Sequence, residues 1–381
     1  MIKKIKDFNL KHFKRILLGK SQLSIDTKKL IFILNAKRKT PLSEEDEDIK
    51  NTMINYLNKN KENIFKISSQ EEKFLEANKS KISTCQEYLI YRYKVRVLPG
   101  LKKLSSFPAY LLIEPVSSCN LRCVMCFQSG KTFTKKPFMG VMSLKLFKKI
   151  VDEAVLGGTK AITLASRGEP TMNKQLPEML RYAEGKFFEV KVNTNATRLT
   201  EQLCHDILSS GVSELVFSID AENKELYERI RVKGNFEKVI DNIRMFHRVR
   251  DEHYPNSLTT TTASGVFFDE DQDIDKFRAF FEKIVDQVAY VSIENRWNTY
   301  TNETHPEIEK PCDYLWQRMY IWFDGKCNPC DVDYKSYLKV GNISENTIKD
   351  IWNGEVYQRL RKDHNTGSRS KHSPCDRCGV A

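Results

Sequence analysis

The sequence predicts an α/β fold built on a parallel sheet, preceded by a helical N-terminal region and followed by a small cysteine-rich region. Three observations predict it. From about residue 109 onward strand-like and helix-like patterns alternate, which implies parallel strands joined by crossover helices. Before that point the apolar spacing is helical and the charge is basic. After about residue 300, five of the ten cysteines are gathered. With 381 residues, 40% of them apolar, the chain can bury a sizeable core, and its length suggests two or three domains.

Residues 1–40 carry 12 Lys/Arg against 2 Asp/Glu, whereas residues 109–381 carry 38 of each. The basic character therefore belongs to the N-terminal arm, and the neutral remainder gives no electrostatic reason to expect nucleic acid. In the first twenty residues Ile2, Ile5, Phe13, Ile16 and Leu17 fall on one side of a helical wheel, with the lysines mostly elsewhere. That pattern predicts a basic amphipathic helix, packed on its own region or facing a membrane surface or acidic partner. Pro41-Leu42-Ser43 before Glu44–Asp48 reads as a capped helix start, because negative charge suits a first turn. Residues 49–104 read as largely helical, with Cys85 a core residue. The turn-rich stretch at 105–108 marks a boundary. The longest apolar runs, such as Leu30–Leu34, are too short to span a bilayer. No secretory signal is expected, and clustered thiols in a reducing compartment bind metal more often than they pair.

Strands are expected at 109–115, 161–165, 188–194, 214–219, 258–268 and 288–294. Helices are expected at 143–156, near 174–184, 200–210, 235–250 and 272–286. The first of these places Leu144, Phe147, Ile150, Val151, Ala154 and Val155 on one face, closed by Gly157-Gly158. Six strands so arranged make either a partial barrel or an open doubly wound sheet. In both, ligands bind at the strand C-terminal ends.

Three thiols, Cys119, Cys123 and Cys126, follow the first strand with spacing C-x3-C-x2-C. A closed structural zinc site takes four ligands, so three suggest a metal centre with an open position. Successive strand ends carry Ser166-Arg167-Gly168-Glu169-Pro170, Asn193-Thr194-Asn195-Ala196-Thr197 and Phe217-Ser218-Ile219-Asp220. Each is common in turns or caps taken singly. In this order behind the cysteines they resemble the motifs of the radical S-adenosylmethionine (SAM) enzymes, over roughly residues 109–381. Arg167 stands where that family has the first glycine of Gly-Gly-Glu-Pro.

The resemblance implies a partial (β/α)6 TIM-like barrel over 106–300, after a mainly helical region 1–105. It implies a [4Fe-4S] cluster on Cys119, Cys123 and Cys126, whose free iron chelates SAM. It assigns Met125 to the adenine, Gly168 and Glu169 to the methionyl ammonium, and Asn195, Ser218 and Asp220 to polar groups of SAM. Ser218 and Asp220, two residues apart on a strand, are expected to project to the same side. Arg231 is a candidate partner for a carboxylate, with a surface ion pair as the alternative. In the family, one-electron reduction cleaves SAM and the resulting radical abstracts hydrogen from an unactivated carbon.

In the tail, Cys327-x2-Cys330 and Cys375-x2-Cys378 alone would read as a zinc ribbon, leaving Cys312 idle. The surrounding Cys312-Asp313-Tyr314-Leu315-Trp316, Phe323-Asp324-Gly325, Gly341-Asn342-Ile343 and Ile351-Trp352-Asn353-Gly354 resemble the SPASM/twitch extension, a small α+β iron-sulfur domain over 301–381. By that pattern Cys312, Cys330, Cys375 and Cys378 hold one auxiliary [4Fe-4S] cluster. Asp324-Gly325 is a hairpin turn that puts Cys330 on the return strand, and Cys327 is extra, to be read as a packed residue, a substitute ligand or a thiol near the substrate. Cys204 reads as core, and His247, His253 and His305 lack ligand spacing.

The reading is a cytoplasmic radical SAM enzyme, with membrane association through its N-terminal helix as an option. Expected partners are an electron donor of flavodoxin or ferredoxin type and either a peptide or a small-molecule substrate such as a sugar derivative. The alternatives are a zinc-stabilised, non-catalytic binding protein with a basic arm, and an RNA-modifying enzyme of the same chemistry.

Overall fold

The computed structural model describes residues 14–17, 26–59, 67–292, 299–301, 303–304 and 309–378. Four helices precede the barrel: α1 (Thr27–Leu34), α2 (Glu44–Asn58), α3 (Ser69–Ala77) and α4 (Ile82–Arg96). The Ser43 hydroxyl accepts from the Asp46 N–H, and the acidic run fills the first turn of α2 as expected. Ser68 and Glu71 form a capping box at α3. The Glu71 carboxylate also holds Arg92 at 2.7 Å and Arg96 at 2.7 Å, so one side chain joins α3 to α4. Cys85 is buried between these helices.

The barrel strands are β2 (Tyr110–Ile113), β3 (Ala161–Leu164), β4 (Glu189–Thr194), β5 (Glu214–Ser218), β6 (Thr260–Phe267) and β7 (Gln287–Ser292). All five pairings among them are parallel, and they lie side by side in chain order. A doubly wound sheet needs a reversal of strand order. None occurs here, so the sheet is singly wound, as in a partial barrel. The connecting helices are α5 (Leu144–Leu156), α6 (Leu176–Ala183), α7 (Glu201–Ser209), α8 (Lys224–Ile230), α9 (Phe236–His253) and α10 (Ile274–Phe281).

Helix α5 shows why the layers hold. Ser143 caps it, and Phe147, Ile150, Val151 and Ala154 bury one face completely. Each large side chain there contributes about 1.5–3 kcal/mol. They meet alternate residues of the strands, such as Leu111, Ile162 and Val192, in one core cluster that also contains Cys204. Val155, expected on this face, is exposed, because it lies beside the stripe where the helix ends at Gly157. Gly158, at φ +88°, turns the chain toward β3.

The N-terminal helices cover the opposite ends of the strands from the cysteines. Tyr88, Tyr91 and Arg92 of α4 all reach the Glu189 carboxylate at the start of β4. The amphipathic helix expected over the first twenty residues falls mostly outside the described residues. Within them the expectation fails: Lys14–Leu17 form a strand, β1, antiparallel to β7. β7 is the last barrel strand, and its open edge offers unpaired backbone groups that outweigh a weak helical preference.

The C-terminal region prolongs the sheet at its other edge. After α11 (Tyr314–Gln317), β8 (Arg318–Ile321) runs parallel to β2, followed by the antiparallel β9 (Lys326–Asn328) and β10 (Gly341–Asn342). The Asp324-Gly325 turn is present, with Gly325 at φ +81°. The return strand ends at Asn328, so Cys327 lies on it and Cys330 stands two residues beyond, contrary to expectation. Helices α12 (Ile348–Asn353) and α13 (Glu355–Asn365) complete the region. Trp352, fully buried, donates through its indole to the Ser105 carbonyl and so fixes α12 to the start of the barrel. Among the described residues no helix is long and apolar enough to cross a membrane.

Candidate metal centres and SAM site

β2 leads through Glu114 into the loop carrying Cys119, Cys123 and Cys126, and this loop is held on every side by backbone contacts. The Met142 N–H donates to the Pro115 carbonyl (2.9 Å) and the Glu169 N–H to the Ser118 carbonyl (2.9 Å). The Arg122 and Val124 N–H groups donate to the carbonyls of Val232 and Ile230, each at 3.0 Å. The Gln128 amide donates to the carbonyls of Ser117 (2.5 Å) and Arg167 (2.7 Å). The loop after β3, the segment leading into α5 and the end of α8 thus converge on the cysteine loop.

The three thiols influence one another. Burial first, then the Glu169 carboxylate and Cys123, pushes Cys119 up to about 11, and burial followed by Cys123 pushes Cys126 up to about 12. Burial also raises Cys123, against the favourable charge of Arg231. Such thiols stay protonated at neutral pH, so a thiophilic metal must displace their protons on binding.

Gly168 sits against the cysteine loop so closely that an added Cβ would lie 2.2 Å from the Val116 carbonyl oxygen and 2.5 Å from that of Ser118. Glu169 is buried, with its carboxylate accepting from Thr194 Oγ1 (2.7 Å), the Asn195 N–H (2.7 Å) and Thr171 Oγ1 (2.7 Å). Burial nevertheless raises its pKa, since these partners are neutral donors. Asn195 directs its amide toward the Cys119 sulfur at 3.8 Å and to Asn120 at 3.0 Å. Met125 is half-buried at the edge of the core.

Ser218 ends β5, but the strand alternation stops there. Asp220 takes φ +73°, so the expected shared side with Ser218 is not set by a pleat. Its buried carboxylate binds Arg231 at 2.6 Å and accepts from the Val266 N–H at 2.8 Å. Arg231 is itself buried, so its partner is internal and not a surface acid. Burial raises Asp220 against the pull of Arg231, while that carboxylate and the Cys123 thiol hold Arg231 protonated despite its burial.

The residues fit a cluster with bound SAM on an observation independent of motif. Among the described residues, four buried polar atoms near this loop have no partner: Gln128 Oε1, Ser166 Oγ, Asn193 Oδ1 and Tyr227 Oη. Buried polar groups are normally satisfied, so such a concentration beside three converging thiols marks a site that a polar ligand completes. A cavity of about 1100 Å³ lies elsewhere, between α3 and the starts of β4–β6, and its lining contains none of the cysteines.

The second cysteine set also converges. Cys330 is raised by burial and then by Cys375, Asp333 and Cys378, and Cys375 by burial and then by Cys312 and Cys378. The Cys312 N–H donates to His364 Nδ1 at 3.2 Å. Arg369, buried, donates to the carbonyls of Cys375 (3.0 Å) and Lys310 (3.3 Å) and also to that of Cys378. Four thiols that influence one another suit iron-sulfur or zinc in ligand type, although among the described residues no three cysteine, histidine or acidic side chains are already gathered closely enough to hold a single metal ion. Cys327 stands apart in the main core, its thiol directed at the Gly325 carbonyl. His247 is bound to Arg250 and Thr261, and His305 lies outside the described residues.

Sequence reading missed Glu114, Gln128, His364 and Arg369. Glu114 had a signal: one acid in the apolar run Tyr110–Val116 requires a buried partner. The others are polar residues whose partners are distant in the chain.

The model of the radical SAM superfamily matches residues 113–281, and that of the SPASM iron-sulfur cluster-binding domain matches residues 312–379. The tungsten-containing aldehyde ferredoxin oxidoreductase cofactor-modifying protein of Pyrococcus furiosus is 24% identical over 306 residues, covering 66% of this chain and 83% of that protein. The AdoMet-dependent heme synthase of Methanosarcina barkeri is 29% identical over 161 residues, covering 42% of this chain and 44% of that protein. The cysteine-type anaerobic sulfatase-maturating enzyme of Clostridium novyi is 24% identical over 307 residues, covering 65% and 79%. Among solved structures, Streptococcus suis SuiB bound to SAM superposes with TM-score 0.55 at 17% identity, covering 91% of this chain and 89% of that one, which bears on fold alone. These matches displace the zinc-stabilised, non-catalytic alternative. The chain belongs to the radical SAM superfamily as an enzyme of SAM and [4Fe-4S] clusters, with a C-terminal SPASM domain.

Proposed function

We propose that this enzyme is a maturase that abstracts a hydrogen atom from a peptide or protein side chain, with redox help from one auxiliary cluster. The observation that carries the reading is the presence of two thiol sets: three cysteines in the loop after β2, packed against Gly168 and Glu169, and four in the SPASM region, whose Tyr334 stacks on Phe127 beside Cys126. Relatives and neighbours support the substrate class: the chain resembles proteins named as maturases, and SuiB has been solved with a precursor peptide. SAM bound at a reduced [4Fe-4S] cluster supplies the hydrogen-abstracting chemistry.

The protein's own residues have the following roles in this proposal. Cys119, Cys123 and Cys126 hold the SAM-site cluster, and Cys312, Cys330, Cys375 and Cys378 the auxiliary one. Gly168 lets the Glu169 loop close against the carbonyls of the cysteine loop, and Glu169, kept pointing inward by Thr194 and the Asn195 N–H, receives the methionyl ammonium. Asn195 and Ser218 bind polar groups of SAM, and Met125 contacts the adenine. Asp220 and Arg231 form the buried floor under Cys123. The division into 1–105, 106–300 and 301–381, a flavodoxin- or ferredoxin-type electron donor and a cytoplasmic location belong to the same proposal.

Anaerobic reconstitution should give about eight iron per chain. Reductant and SAM should then yield 5′-deoxyadenosine, and Ala at Cys119, Cys123 and Cys126 together should abolish it. Deuterium passing into that product from a labelled peptide supports the substrate class. Transfer only from a small metabolite would overturn the maturase assignment while leaving the SAM chemistry intact.

A further inference from the structure

Arg167 occupies a position where the family motif has glycine, and nothing in the SAM chemistry requires a cation there. The side chain is nearly inaccessible, with 4% exposure. Its guanidinium makes two parallel bonds to Glu114, Nε to Oε2 and Nη2 to Oε1, both at 2.6 Å. The third nitrogen, Nη1, donates to the Tyr334 carbonyl at 2.9 Å. The Trp322 ring lies under the guanidinium at 4.2 Å and the Phe133 ring at 5.6 Å. Its own carbonyl accepts from Gln128, two residues after Cys126.

These partners come from both thiol sites. Tyr334 is four residues beyond Cys330, and Phe127 directly follows Cys126. Their rings stack at 4.4 Å with 12° between planes. Phe133 closes the stack edge-on against Tyr334 at 5.4 Å. Glu114, fixed by Arg167, also accepts from the Phe323 N–H at 3.3 Å. A lysine could keep the charge opposite Glu114 but not the planar fork that serves two partners at once.

We propose that Arg167 is a positioning residue that holds the auxiliary-site segment, through Tyr334, against Phe127 and so fixes how the two cysteine sites face each other. The inference rests on the reading of both sites as cluster sites. The glycine of the family motif cannot make this tie, so the arrangement is a property of this chain.

The test uses the full chain with Arg167→Lys and Tyr334→Leu. The first keeps a cation for Glu114; the second leaves the ion pair intact and removes the stack, so one variant is expected to fold even if the other does not. In metal-free protein, hydrogen exchange should accelerate about tenfold at 127–133 and 331–338 in both variants, with β3–β5 unchanged. In reconstituted protein, iron content should stay constant. The microwave-power saturation of the reduced SAM-site signal, which reports its separation from the second cluster, should shift. Exchange that rises evenly over the whole chain, or wild-type exchange and saturation in both variants, would overturn the proposal. If reconstitution yields only one cluster, the two-cluster reading fails while the exchange result still decides the role of Arg167.

Discussion

Gly168 has no room for a side chain, because the carbonyls of Val116 and Ser118 lie where its Cβ would stand. Gly168→Ala must therefore push the Glu169 loop away from the cysteine loop, and a misplacement near 1 Å costs about 100-fold in rate. We expect 5′-deoxyadenosine formation to fall by about that factor while far-UV circular dichroism is unchanged; a variant within threefold of wild type would refute the close-approach argument. Asp220 and Arg231 make a different prediction. Asp220→Asn leaves a buried guanidinium without its counter-charge, which typically costs about 3–5 kcal/mol. Denaturant unfolding of the metal-free protein measures this directly. A loss under about 1 kcal/mol would mean that water reaches the pair.

At the level of elements, the hairpin β8–β9 sorts two cysteines three residues apart. Cys327 lies on the return strand and faces the core, whereas Cys330 lies past its end, where Cys375 and Cys378 approach. Cys327→Ala should cost about 1 kcal/mol of stability and no iron. Cys330→Ala should remove about four iron from the reconstituted protein. Iron lost in the first variant would make Cys327 a ligand. The strand β1 shows the same force of neighbourhood: a segment of helical periodicity pairs with β7 because that edge has backbone groups to satisfy.

Across the whole molecule, the N-terminal helices seal the strand ends remote from the cysteines. Glu71 is central to that layer. Burial alone would raise its pKa, but Arg92 and Arg96 outweigh burial and hold it below the usual carboxylate value. A depressed folded-state pKa contributes stability that is present above the unfolded value near 4.5 and is lost as pH falls through the folded value. Below pH 4.5 wild type should therefore lose stability more steeply than Glu71→Gln. At neutral pH the variant should be less stable by about 3 kcal/mol, with SAM cleavage per folded molecule unchanged. Equal pH slopes for the two proteins would remove Glu71 from this role.

The thiol spacing at Cys119–Cys126, the glycine and acid at 168–169 and the alternation of strands and helices are local patterns, and they were legible in the sequence because spacing and period are properties of the chain itself. Most element positions followed from the same cause; the short helix α8 did not, being too brief for a periodic signal. What only the tertiary structure decided was pairing at a distance: that Arg167 binds Glu114 and carries Tyr334 to Phe127, that Asp220 turns out of its strand toward Arg231, and that β8 extends the barrel sheet beside β2. Each depends on groups far apart in the chain whose burial demands a partner, and no local pattern encodes which partner the fold brings near.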